Sequence, residues 1–193
     1  ISDPGEELVA MCCEAGIEVT SLPGAAACIT ALTLSGLPTR RFAFEAFLPS
    51  DKKERACILQ ELKNETRTII LYEAPHRLVK TLEELYAELG DRKISLCREL
   101  TKKHETVFRD TLSQAIAWYK ENPPKGECVM VLAGRPREEL VLEERQKWEN
   151  MSLEEHLAIY EKEGMSRKDA MKQVAKDRGI RKRDVYQALL NQE

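Results

Sequence analysis

Four short stretches hold the residues able to do chemistry, and each follows a run that reads as a strand. Tyr72-Glu73-Ala74-Pro75-His76-Arg77 is the most informative. Glu73 can accept hydrogen bonds from an amine or hydroxyl, His76 can move a proton near neutral pH, and Arg77 can hold a phosphate. A clasp in which Arg77 merely pairs with Glu73 is the competing reading. Arg98-Glu99-Leu100-Thr101-Lys102-Lys103-His104-Glu105 is a second cluster, too charged for a core edge, although plain solvent exposure accounts for Lys102 and Lys103 equally well. Leu22-Pro23-Gly24-Ala25-Ala26-Ala27 presents unencumbered backbone at a helix start, where a ligand can come close. A tight turn into a closely packed helix would ask for the same residues. Ala133-Gly134 follows the last apolar run. In open α/β sheets ligands bind beyond the carboxyl ends of strands, so these exits are the candidates.

Other chemistries lack their residues. No G-x-G-x-x-G or P-loop occurs, so a Rossmann or Walker phosphate site is not indicated. The six cysteines (Cys12, Cys13, Cys28, Cys57, Cys97, Cys128) make no C-x-x-C pair, and there are three histidines. Zinc spacing is therefore absent, and no metal is expected. The cysteines read as small buried hydrophobes of a reduced, cytoplasmic protein.

The elements that must position these exits follow from periodicity. Asp3-Pro4 opens an amphipathic helix, with Leu8, Val9, Met11, Cys12 and Ala15 on its apolar side and Gly16 as its stop. Ile17-Glu18-Val19-Thr20 alternates like a short strand. Ala25 to Leu34 reads as a buried helix, Phe42 to Leu48 as a strand with Phe42, Phe44 and Ala46 on one face, and 51–64 as a charged helix. Thr68-Ile69-Ile70-Leu71-Tyr72 is a strand buried on both faces. Leu78, Leu82, Leu85, Tyr86 and Leu89 give a helix ending at Gly90. Strands at 93–100 and 105–110, a helix at 112–121 and a buried strand at 128–132 complete an α/β domain over 1–135 with a mostly parallel or mixed sheet. Residues 136–151 are polar and read as a linker. Residues 152–193 read as three short helices of helix-turn-helix character, with a capping box at Ser152-Leu153-Glu154-Glu155.

The 193 residues carry a net charge of −3, unevenly spread. Lys162 to Arg183 holds nine basic and three acidic residues, a local +6 against −9 elsewhere. A basic module on an acidic body suits phosphate-backbone binding, and a solvated helical surface is the plain alternative. No apolar run approaches the roughly 20 residues of a membrane span, so no membrane role is expected. The chain starts without Met and without a secretory signal, from which loss of an upstream segment is expected.

Ile1-Ser2-Asp3-Pro4-Gly5, Leu22-Pro23-Gly24, Phe47-Leu48-Pro49, Tyr72 to Arg77, Arg98 to Lys102, and Gly126-Glu127 before Val129-Met130-Val131-Leu132 occur in this order. Together they resemble the tetrapyrrole methylase superfamily, and within it the branch acting on small-subunit ribosomal RNA, over essentially the whole chain. The resemblance implies an S-adenosylmethionine-dependent enzyme of two α/β domains that methylates the ribose 2′-hydroxyl of a cytidine in the decoding region of 16S ribosomal RNA. It also implies a homodimer without metal. This chain would be the second α/β domain plus the helical module, with about half of the donor site and weak donor affinity by itself.

By position, the resemblance puts Ile1 and Ser2 in a first donor-contacting loop and Pro23, Gly24, Ala25 and Ala26 in a second. Ala26 stands where many members have Ser. Glu73 would lie beside the donor, with Ala133 and Gly134 offering backbone to its adenine side. Glu73, His76, Glu99 and His104 are candidate bases, with the Glu73/His76 side favoured. Arg77, Arg98, Lys102, Arg181, Lys182 and Arg183 would hold RNA. Two other readings stay open: a methylase of a tetrapyrrole or other small molecule, and a non-catalytic RNA-binding regulator.

Overall fold

In the computed structural model, residues 4–149 and 151–190 are described, and they form two compact units, one ending at Arg135 and the other starting at Pro136. The first contains α1 (Glu6–Glu14), α2 (Ala27–Leu34), β1 (Phe42–Phe47), α3 (Lys52–Lys63), β2 (Thr68–Glu73), α4 (Leu78–Leu89), β3 (Lys93–Arg98), β4 (Thr106–Thr111), α5 (Leu112–Glu121) and β5 (Cys128–Leu132).

The five strands form one mixed sheet in the order β1-β2-β5-β3-β4. Only β1 and β2 pair in parallel; β5 runs antiparallel to both β2 and β3, and β4 antiparallel to β3. The middle strands are apolar because both faces are covered. Ile69, Leu71, Ile94, Leu96, Met130 and Leu132 pack with α3, α4 and α5, while Ile70, Cys97, Val129 and Val131 pack with α2. The helix boundaries have local causes. Asp51 caps α3 by accepting from the amides of Lys53 and Glu54 at 3.0 and 2.9 Å.

Several expectations are corrected. Residues 17–20 form no strand, and Ile17 and Val19 are exposed: alternation makes a strand only where another edge accepts its hydrogen bonds. The facing of Phe42, Phe44 and Ala46 is broken by a bulge between Phe44 and Ala46, where Ala46 takes a positive φ of 50°. The strand expected over 93–100 stops at Arg98. All six cysteines are free, but only Cys28, Cys97 and Cys128 are buried; Cys13 and Cys57 are exposed.

Among the described residues the second unit has four helices: α6 (Arg137–Glu149), and then α7 (Leu153–Lys162), α8 (Arg167–Arg178) and α9 (Lys182–Leu190), the three expected after residue 152. The stretch read as a polar linker thus holds a helix over Arg137–Glu149, grouped with the second compact unit. Glu138 and Glu139 in the first turn and Lys147 in the last suit the helix dipole. The helix is held on its unit by Trp148, whose ring stacks on His156 at 3.8 Å, and by Arg145, whose guanidinium lies over Gly179. Leu157, Ala170, Val174, Val185 and Leu189 form this unit's core. Ser152 and Glu155 make a reciprocal capping box at α7.

His156 is fully buried in that core. Its Nδ1 accepts from Arg178 Nε at 3.2 Å, which puts the ring proton on Nε2, 3.4 Å from Asp177 Oδ2 but without hydrogen-bond alignment. Burial, and Arg178 beside it, hold its pKa below the usual histidine value against the opposing pull of Asp177. Among the described residues no helix is long and apolar enough to cross a membrane.

Candidate functional site

Strand directions decide which exits meet. The carboxyl ends of β1, β2 and β3 lie at one edge of the sheet, beside the start of β5, because Glu73 and Arg98 both pair with Cys128. His76, Glu99, Lys102 and Gly126-Glu127 belong to this edge. Ala133 and Gly134 do not: Leu132 pairs with Ile69 and Ile94, so β5 ends at the opposite edge, about 13 Å away across four residue steps at about 3.3 Å each. Gly134 is needed there for packing, since a Cβ would run into the backbone of Thr66 and Arg67. The expectation that Ala133 and Gly134 share a cleft with Glu73 and Gly24 is corrected by this antiparallel run.

Glu73 is buried on the α3/α4 side of the sheet and both of its oxygens are engaged. Oε1 accepts from the Ala74 amide at 2.8 Å and lies 3.4 Å from Arg77 Nε. Oε2 accepts from Thr81 Oγ1 at 2.5 Å and lies 4.0 Å from Arg55 Nη2. Arg55 in turn donates to Thr81 Oγ1 at 2.7 Å and Glu84 Oε2 at 2.6 Å, and Arg77 donates to the Leu48 carbonyl at 3.1 Å. This network fastens β2, α3, α4 and the end of β1 together. It leaves Glu73 no oxygen facing outward and turns Arg77 inward. His76, next to it, is exposed on the turn after β2.

Glu99 and Thr101 both have positive φ, 49° and 63°, in the turn after β3, a strained geometry of the kind that collects at functional sites. The turn is held in place by its own polar contacts. Glu99 Oε1 accepts from the Glu127 amide at 3.0 Å and from Lys102 Nζ at 3.3 Å, and Lys102 also reaches Glu127 Oε2 at 3.2 Å. The Glu127 amide first, and Lys102 with it, hold the Glu99 carboxyl below its usual pKa. Gly126, with φ +78°, leaves room for the Glu99 carboxylate where a Cβ would sit. The separate sequence stretches Arg98-Lys102 and Gly126-Glu127 are thus one structural feature. Arg98 itself donates to Thr106 Oγ1 at 3.1 Å and the Lys125 carbonyl at 3.2 Å.

On the other face of the same edge, α2 begins without a side-chain cap. Its Cys28 amide donates to the Tyr72 hydroxyl at 3.0 Å. Phe44 and Phe47 meet the Tyr72 ring edge-on at 5.1 and 5.6 Å. Burial raises the Tyr72 pKa, with Cys28 adding to the effect. Pro23, Gly24 and Ala25 are exposed, and the space over the Gly24 Cα is open. Packing in this unit therefore does not demand a glycine there, which removes the tight-packing explanation. Sequence reasoning passed over Tyr72 as a site residue. Its signal was a strand-final hydroxyl aromatic directly before Glu73.

Of the remaining expected residues, Ile1 and Ser2 lie outside the described residues. Arg181 and Arg183 are exposed and Lys182 is half-buried, around the start of α9. Among the described residues no group of three or more His, Cys, Asp or Glu side chains is placed to hold a metal ion.

Residues 1–116 match the model of the family Tetrapyrrole (Corrin/Porphyrin) Methylases. The chain is similar to proteins named ribosomal RNA small subunit methyltransferase I. It is 47% identical to that of Halalkalibacterium halodurans over 96% of this chain and 64% of the relative. It is 47% identical to that of Synechocystis sp. over 100% of this chain and 68% of the relative. The chain thus spans about two thirds of the length of these relatives. Among solved structures it is similar in fold to a cobalamin biosynthetic enzyme, cobalt precorrin-4 methyltransferase. The TM-score is 0.50 at 16% identity, covering 66% of this chain and 57% of that one.

Proposed function

The chain belongs to the tetrapyrrole methylase family, and from that premise we propose that it is part of an S-adenosylmethionine-dependent methyltransferase acting on the ribose 2′-hydroxyl of a cytidine in the decoding region of 16S ribosomal RNA. The observation that carries this reading is the 47% identity to proteins named for small-subunit ribosomal RNA methylation, which runs through both units, the basic stretch from Lys162 to Arg183 included. A tetrapyrrole substrate would give the basic 162–183 stretch no phosphate backbone to bind, and a non-catalytic RNA-binding role would leave the methylase unit without a task.

The residues present suit one side of the donor. Its adenine ring is flat with apolar faces, its ribose carries two hydroxyls, and its amino-acid end carries a carboxylate. The open backbone of Pro23, Gly24, Ala25 and Ala26, the uncapped start of α2 and the aromatic wall of Tyr72 and Phe47 offer backbone donors and apolar surface of that kind. When bound, the donor supplies a methyl already activated on a sulfonium. The chain's own task is then positioning and removal of one proton from the ribose hydroxyl. His76 takes that proton on an imidazole nitrogen, because it is exposed at the strand exit. Glu73 is saturated by its contacts and is a positioning residue, and Glu99 is held as a weak base by Glu127 and Lys102. Arg98 and the Arg181-Lys182-Arg183 run face the RNA.

A homodimer, docking on the small ribosomal subunit and a cytoplasmic location belong to the same proposal. The apolar Leu8, Val9 and Met11 of α1, all exposed, would supply part of a subunit contact. The test is deletion of the coding gene followed by mass spectrometry of 16S ribosomal RNA. Loss of one ribose methyl from a decoding-region cytidine is expected; an unchanged methylation pattern would refute the proposal.

A further inference from the structure

A groove of about 600 Å³ opens beside the Arg98 turn, on the α5 side of the sheet edge. Its floor is aromatic. Phe108 stacks under Trp118 at 6.4 Å and meets Tyr119 edge-on at 5.7 Å. Trp118 is 52% exposed, a large aromatic face left open to solvent but fixed from below. At one end stands Arg98. Its Nε and Nη1 are spent on Thr106 Oγ1 and the Lys125 carbonyl, which fix the guanidinium plane, and its Nη2 makes no hydrogen bond among the described residues. At the other end Asn122 donates its amide to the Trp118 carbonyl, leaving Oδ1 as a free acceptor. Glu121 also lines the groove and would turn away a second phosphate.

We propose that this groove is a nucleobase subsite: one unstacked base of single-stranded RNA lies on Trp118, with Arg98 Nη2 on the adjoining phosphate or a base oxygen. The shape follows general rules for single-strand recognition, in which bases stack on aromatic rings and an arginine takes the backbone. A flat ligand with neither phosphate nor carbonyl oxygen would leave Arg98 unused, and a duplex could not present its base faces. Asn122 Oδ1 suits an exocyclic amine on the base. This inference rests on the RNA reading above and adds to it a defined contact.

The test titrates the chain with a ten-nucleotide oligocytidylate RNA while following tryptophan emission, alongside Trp118→Ala and Trp118→Phe. Quenching is expected in the wild type. Trp118→Ala should weaken binding about fivefold or more, the loss of one stacked base, while Trp118→Phe keeps affinity within about twofold and loses the quenching. An oligonucleotide carrying abasic sites should bind without quenching. Binding that leaves Trp118 unquenched and is indifferent to Trp118→Ala overturns the subsite and leaves the RNA reading standing. No binding of any oligonucleotide sinks both.

Discussion

Replacing Glu73 with glutamine separates a fastening role from a catalytic one. The carboxylate is buried, and its oxygens accept from Thr81 at 2.5 Å and Ala74 at 2.8 Å and face Arg77 at 3.4 Å. In Glu73→Gln one oxygen remains an acceptor and the other becomes an amide donor, turned toward a hydroxyl already shared with Arg55. Hydrogen bonds to charged groups are worth about 1.5–3 kcal/mol, and removing one partner of a buried pair costs about 3–5 kcal/mol. Arg55 keeps Glu84 at 2.6 Å, which favours the low end, about 3 kcal/mol. With a urea dependence of about 2 kcal/mol per molar, the unfolding midpoint of the first unit should fall by about 1.5 M. Trp118 emission reports it in a Trp148→Phe background, where Trp118 is the single indole. A midpoint shift under about 0.3 M together with a methyl-transfer rate reduced about a hundredfold or more would mean that Glu73 is the base after all, and the argument from saturated oxygens would be wrong.

His76→Ala in the active enzyme should lower methyl transfer about a hundredfold or more with the urea midpoint unmoved; a full rate excludes His76 as the base. Gly126→Ala would place a methyl where the Glu99 carboxylate sits, at φ +78°, and should lower the melting temperature and raise the Glu99 pKa, read by carboxyl NMR. Arg67, through a two-point hydrogen-bonded pair, lowers the Glu65 pKa from 4.5 to about 2. The folded pKa is depressed, so this stability is full above about pH 4.5 and lost as pH falls toward 2; Glu65→Gln should flatten acid unfolding in that window. His156 is shifted down, so the unfolded chain binds its proton first, and the second unit should lose stability as pH falls from about 6.5, read by Trp148 emission.

The parts of this fold that show in sequence are those whose environment is uniform. β2 and β5 are continuous apolar runs because both sheet faces are covered, and α4 shows its stripe because one face meets the core. Strand direction is different: Cys128 to Leu132 reads the same whichever way it runs, so the placement of Ala133 and Gly134 depended on a pairing no local pattern encodes. The α6 helix escaped for a related reason. A surface helix that meets its unit through residues such as Trp148 and Arg145 rather than an apolar stripe has the composition of a linker. At the site, residue types were legible and states were not. Glu73 and Arg77 read equally as catalytic pair and as clasp, and only burial and the Thr81 and Arg55 contacts distinguish them.

That distinction also sorts the positive charge. Arg77 is turned inward against Glu73 and the Leu48 carbonyl, and Lys102 sits between Glu99 and Glu127. A cation already compensated by carboxylates displaces few counterions from RNA, whatever its distance from the substrate. Arg181 and Arg183 are exposed, and among the described residues no ion pair with a carboxylate holds either of them. The salt dependence of RNA binding should therefore come from the α9 run. Replacing Arg181, Lys182 and Arg183 by alanine should reduce the slope of log K against log salt by about 2, at about 0.7 per phosphate contact on a single strand. Replacing Lys102 should leave that slope nearly unchanged. If Lys102→Ala reduced the slope as much as the triple variant, the pairing seen around Glu99 would not persist when RNA binds, and the turn after β3 would have to open to receive it.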